Sequence, residues 1–146
     1  MPDSGLARLY TPNILSLAVE LAIYPLAADF QWRGDARSRT CGSEVVFACN
    51  VNGDGGIADF GLQAKACAIG QAAASLFARG AKGRTGSDIG RTVHSLEIWL
   101  AGTDDLPDWQ GLEILQPARE HRGRHDAILL PWKAALAALS NSGQPR

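Results

Sequence analysis

Residues 44–67 read "EVVFACNVNGDGGIADFGLQAKAC", and the period of this stretch decides the fold. Val45, Phe47, Cys49 and Val51 alternate, so one strand carries them on a single apolar face. "GIADFGLQAKA" supplies a second strand after a turn. The turn, "NVNGDGGI", contains Asn-Gly and Asp-Gly pairs between alternating apolar runs, which signals an antiparallel hairpin. Asn50, Asn52, Asp54 and Gly55 imitate the start of an EF-hand calcium loop. Such a loop begins with aspartate and has a bidentate glutamate at its twelfth position, where this chain has Asn50 and Gly61. The turn reads as a turn.

Upstream, residues 13–24 form a helix that starts at Pro12 and is stopped by Pro25. Its apolar residues fall on two sides, Ile14, Leu17 and Leu21 against Leu15, Val19 and Ile23. A helix this apolar is either widely buried or offers a contact surface. "AADFQWR" is a further strand candidate, and the adjoining "RGDARSR", with Arg33, Arg37 and Arg39, reads as a solvated loop.

Downstream of Cys67 the period changes. "CAIGQAAASLFARG" predicts a helix rich in small residues, ended by Gly80. Ala68, Ala72 and Ser75, with Ala73 and Phe77, fit a backbone that packs close to its neighbours. Another helix follows, capped by Thr85 or Ser87, with Ile89, Val93, Leu96 and Leu100 at helical spacing and His94 as a half-exposed structural residue beside them. The loop "TDDLPDW" stops it. The last helix presents Ile128, Trp132, Ala135 and Leu139 on one face. An interior Pro131 would cost roughly 3 kcal/mol, so this helix is expected to begin near residue 127 with "RHD" at its mouth. A small antiparallel sheet followed by helices makes an α+β domain, and residues 1–146 are read as one such domain.

Composition narrows the function classes. Fourteen basic against fifteen acidic residues give a net charge of −1, which does not suit a polyanion-binding protein. Three cysteines, Cys41, Cys49 and Cys67, form no paired framework and suit a reducing compartment. "MPDSG" lacks the basic region of a signal peptide, and "ILSLAVELAIYPL" is too short to span a bilayer. The expectation is a soluble, cytoplasmic protein with no nucleic-acid or membrane partner.

The hairpin brings chemistry together. Cys41 lies near the start of its first strand and Cys67 at the end of its second, so antiparallel pairing carries both thiols to the same end of the sheet. Thiolates bind zinc and iron–sulfur centres, and imidazole or carboxylate can complete a four-coordinate site. His125 and Asp126, at the mouth of the last helix, are candidates for that completion. Each also has a plainer reading: Asp126 as a helix N-cap, His125 as a donor to a carbonyl. A helix N-terminus favours a thiolate, so Cys67 is the better placed of the two thiols, whereas Cys49 belongs to the apolar strand face.

The stretch "TCGSEVVFACNVNGDGGIADFGLQAKACAIGQAAASLFARGAKG" resembles the core of the NifU N-terminal/IscU/SufU family of iron–sulfur assembly scaffolds. The shared pattern is a Cys-Gly pair at a strand start, a hairpin, and a second cysteine opening a helix rich in alanine and serine. A "kGk"-like turn follows, here Ala81-Lys82-Gly83. "LEILQPAREHRGRHDAILLPWKAAL" is similar to the family's closing segment and last helix. Cys67 and His125 stand 58 residues apart, similar to the SufU-like branch, and no "LPPVK"-type chaperone motif is present. Ser43 stands where the family has an aspartate, followed by Glu44. The family's third cysteine is absent, and either Asp126 or Ala127 stands in its place.

The resemblance implies a SufE/NifU-like α+β fold and a scaffold rather than an enzyme. It implies Cys41, Cys67, His125 and Asp126 as donors to zinc, iron or a transient iron–sulfur cluster. Sulfur would come from a cysteine desulfurase, and the cluster would pass to recipient apoproteins. A persulfide-transfer adaptor and a metal-free interaction module of the same fold are the alternatives. A thiol hydrolase using Cys41 or Cys67 with His125 is a further one, but no catalytic signature surrounds either cysteine.

Overall fold

The computed structural model describes residues 9–39 and 42–142. Cys41 therefore lies outside the described residues. Helix α1 (Pro12–Glu20) begins as its sequence dictates, with the Thr11 hydroxyl accepting from the Ile14 N–H at 3.2 Å and proline in the first turn. Its last turn tightens into a 3-10 segment, Leu21–Ile23, before Pro25. Ile14 and Leu17 are buried, while Leu15, Val19 and Ile23 remain 48%, 78% and 65% exposed, so the helix is not widely buried.

Strands β1 (Trp32–Arg37), β2 (Glu44–Val51) and β3 (Ile57–Lys65) form one antiparallel sheet in the order β1-β2-β3. The expected hairpin is β2–β3. Gly55 takes a positive φ of 85° in its turn, the Asn52 N–H donates to the Gly56 carbonyl at 2.8 Å, and Gly56 N–H donates to the Asp54 carboxylate at 3.0 Å. Val45, Phe47 and Cys49 are buried on one face, as the alternation demanded. "RGDAR" is not a loop: it runs within β1, where Arg33, Asp35 and Arg37 point away from the core and stay exposed. A period-2 strand can carry charges on its outer face without cost, which the charge pattern alone did not distinguish from a loop.

Helix α2 (Ala68–Ala81) and helix α3 (Gly86–Leu100) follow, then a 3-10 stretch (Leu112–Glu120), a 3-10 turn (Arg122–Arg124) and helix α4 (His125–Ser142). Gly80 does not end α2. A Cβ there would stand 2.8 Å from the Trp109 indole, so the glycine is a notch for that ring, and the indole N–H donates to the Leu76 carbonyl at 2.9 Å. Thr85, not Ser87, caps α3, in a reciprocal capping box with Asp88. His94 is exposed on α3 rather than half-exposed.

Helix α4 begins at His125, two residues earlier than expected, and Pro131 lies inside it. Proline offers no N–H to the Ala127 carbonyl, a loss of roughly 3 kcal/mol. Burying Ile128 and Leu130 contributes about 1.5–3 kcal/mol each and offsets that loss. Ile128, Trp132, Ala135 and Leu139 are all buried, as are Leu129 and Ala138, so apolar residues surround the helix and it lies in the interior. One side covers β1 and β2, the other meets α2 and α3. A Cβ on Gly34 of β1 would come within 2.4 Å of the Ala138 nitrogen, so only glycine lets the helix lie this close to the strand. Helix α1 is tied to α2 by Ser75 Oγ donating to the Leu17 carbonyl at 2.5 Å and by the two-pronged Arg79–Glu20 pair at 2.6 and 2.7 Å.

Candidate metal centre

The strand register fixes one end of the sheet. Glu44 is opposite Arg37 on one side and opposite Lys65 on the other, so the loop joining β1 to β2 and the exit of β3 lie together. The Ser38 N–H donates to the Ser43 carbonyl at 2.8 Å and closes that loop, with Gly42 at a φ of 71°. Cys41 belongs to the loop by sequence and is outside the described residues. Ser43 is buried, and the Arg37 guanidinium holds Glu44 by a 2.6 Å contact.

Two residues beyond Lys65, Cys67 is the N-cap of α2. Its backbone is extended (φ −65°, ψ 173°), its thiol is free and makes no capping hydrogen bond, and the residue is half-buried. Its carbonyl accepts the first helical bond, from the Gln71 N–H at 3.0 Å, and the side-chain cap that serine or aspartate would supply is not made. The N-terminus of α4 meets this end of α2. Gly70 lies one turn after Cys67, and a Cβ on it would be 3.4 Å from the Ala127 Cβ.

His125 and Asp126 are the first two residues of α4, so Asp126 is in the first turn and is not the N-cap. Its carboxylate still lies at the positive end of the helix dipole. The His125 Nε2 is 2.7 Å from the Arg119 carbonyl, the plainer of its two readings. The same imidazole lines a cavity of about 600 Å³ shared with Gln116, Arg119, Glu120, Arg122 and the C-terminal end of α3. Among the described residues, no group of three or more His, Cys, Asp or Glu side chains converges closely enough to hold a metal ion. The α2 and α4 N-termini are brought together; a finished ligand set is not formed by Cys67, His125 and Asp126.

The donor chemistry nonetheless fits a thiophilic metal. Cys67 offers an unengaged sulfur, and a ligating histidine commonly gives its other ring N–H to a backbone carbonyl, as His125 does here. Cys49 is excluded: it is fully buried on the sheet's inner face, and burial pushes its thiol up to about 11. Two residues escaped the sequence reading. Gly70 had a legible signal, a glycine three residues into an alanine-rich helix. Arg119 had none, because its role depends on α3 ending beside it.

No protein-family model matches the chain, and no curated protein matches it. Solved structures do. The N-terminal part of a nitrogen-fixing NifU-like protein from Brucella abortus matches with a TM-score of 0.83 and 25% identity, over 97% of this chain and 100% of that one. A putative iron–sulfur cluster assembly scaffold protein for the SUF system, from Fervidobacterium islandicum, gives 0.77 and 20%, over 90% and 96%. A hypothetical protein gives 0.65 and 15%, over 87% and 96%. The chain has the α+β fold of the NifU/SufU-like scaffolds on a sequence that has diverged far from theirs.

Proposed function

We propose that this chain, whose fold is that of the NifU/SufU-type scaffolds, is a scaffold-like protein that holds iron, zinc or a nascent iron–sulfur cluster as cargo. The donors are Cys41 and Cys67, completed by His125 and Asp126. One observation carries this reading: Cys67 stands at the N-cap position of α2 with its thiol free, where Gly70 and Ala127 bring the α2 and α4 N-termini together. Two helix N-termini at one place favour anionic ligands, so thiolate and sulfide gain there. The protein is one domain working in the cytoplasm. No described helix is long and apolar enough to cross a membrane.

Sulfur enters from a cysteine desulfurase. A scaffold thiolate attacks the outer sulfur of the desulfurase persulfide, the S–S bond breaks, and the desulfurase cysteine leaves as thiolate. The new persulfide is the sulfur source for the cluster, which then passes to recipient apoproteins. The protein binds and hands on its cargo rather than turning over a substrate.

A second reading has its own observation. Because no three donors converge among the described residues, a persulfide-transfer adaptor that builds no cluster also fits. Anaerobic purification with iron, zinc and sulfide analysis separates the two, on wild type, Cys41→Ala and Cys67→Ala. Metal and sulfide present in wild type and lost from both variants support the scaffold. A metal-free protein that gains one sulfur atom in mass on meeting a desulfurase and cysteine is the adaptor.

A further inference from the structure

We infer that Arg119 is a positioning residue, which clamps its own carbonyl onto the Nε2 proton of His125 and so leaves Nδ1 as the ring's metal donor. This rests on the reading of His125 as a ligand. A carbonyl oxygen can only accept, so at 2.7 Å from it Nε2 must carry the hydrogen. In the neutral ring the lone pair then belongs to Nδ1, and no other described group is bonded to the ring.

What makes the carbonyl a fixed point is the Arg119 side chain. Its Nε and Nη2 both donate to the Trp99 carbonyl, at 3.0 and 2.8 Å, and Nη2 also donates to the Thr103 carbonyl at 2.5 Å. The guanidinium carbon sits 4.9 Å from the Trp99 ring centroid. These acceptors belong to the last turn of α3 and the loop leaving it, the negative end of a helix dipole, where a cation is favoured. Residue 119 is thereby anchored to α3, while His125 belongs to α4. The hydrogen bond between them sets the imidazole against a support outside its own helix. Outer groups of this kind orient a ligating histidine, and losing them typically weakens metal binding 10- to 100-fold.

Lysine is the informative replacement, because it keeps the charge but lacks the second donating nitrogen and the rigid planar fork that fix the guanidinium on these carbonyls. The test is nitrogen-15 NMR of the histidine rings in metal-free protein at about pH 8.5, where free imidazole is uncharged. Wild type, Arg119→Lys and Arg119→Gln are compared, with backbone amide spectra to establish that each variant is folded. In the wild type, His125 should show one tautomer with a slowly exchanging Nε2–H, while the exposed His94 shows the averaged ring of a solvated histidine. Both variants should lose the slow Nε2–H, and zinc, used as the probe, should bind roughly 10-fold more weakly. A wild-type ring protonated on Nδ1, or an Nε2–H that survives in Arg119→Lys, overturns the inference. His125→Ala that keeps zinc affinity overturns the proposed ligand set instead, and the ring spectra judge the clamp separately.

Discussion

Gly70 and Ala127 touch across the N-termini of α2 and α4: a Cβ built on Gly70 would stand 3.4 Å from the Ala127 Cβ and 2.6 Å from that of Ala66. An added side chain would meet Ala66, the residue before Cys67, far more closely than it meets α4. Helix propensity favours alanine over glycine by roughly 1 kcal/mol. The Ala66 Cβ is fixed by the backbone and cannot swing aside. Gly70→Ala is therefore expected to destabilise by about 1–2 kcal/mol despite the better helix former, and to weaken zinc binding as the segment carrying Ala66 and Cys67 is displaced. Chemical denaturation and zinc titration check the two effects; a more stable variant with unchanged affinity would show that the contact does not shape the site.

Cys49 tests the division of the thiols. Cys49→Val keeps volume and apolarity in the core, so metal content should match wild type and stability should change by less than about 1.5 kcal/mol. The buried thiol is raised from 9.0 to about 11, so the folded state holds this proton more tightly than the unfolded chain. That contribution is complete below pH 9.0 and is lost as the pH rises towards about 11. It amounts to about 2–3 kcal/mol over the window. Denaturation midpoints at both ends should show a steeper alkaline decline in wild type than in the valine variant, and parallel curves would place the thiol elsewhere.

The missing third thiol can be restored in two places. Asp126 is half-buried in the first turn of α4, whereas Ala127 is fully buried against Gly70. Asp126→Cys should lengthen cluster lifetime after anaerobic reconstitution, at the expense of about 0.3–1 kcal/mol of charge–dipole stabilisation. Ala127→Cys adds a sulfur to a packed contact, so it should destabilise by about 1–3 kcal/mol and prolong the cluster less. Decay of the cluster absorbance and thermal melting, measured on both, decide the matter. If neither thiol prolongs the cluster, the adaptor is the better account.

The hairpin turn gives a prediction about calcium. The Asp54 carboxylate accepts the Gly56 N–H, and the Asn50 side-chain oxygen accepts the Gln31 N–H at 3.0 Å, so both are engaged in holding backbone. Asp54→Asn retains an acceptor at the same atom and should change stability by less than about 1 kcal/mol. Melting with and without calcium should give the same midpoint for both proteins; a calcium-dependent rise lost in the variant would contradict this.

Much of the fold was written locally. Alternation over Val45 to Val51, turn residues at 52–56 and the 3.6-residue spacing after Cys67 each follow from the backbone's own geometry, so β2, β3, α2 and α3 could be read directly. Antiparallel pairing then fixed which end of the sheet Cys67 leaves. The sequence could not show that Gly80 is a seat for Trp109, that α4 reaches back to His125 across Pro131, or that Asp35 and Arg37 lie on a strand. Each depends on a partner far along the chain, whose packing outweighs a local preference of 1–3 kcal/mol. The candidate site divides along the same line. Its residue types were legible because thiol and imidazole chemistry belongs to the side chain itself. The direction of the His125 proton and the closeness of Gly70 to Ala127 arise only where separate helices meet, so tertiary structure alone decided them.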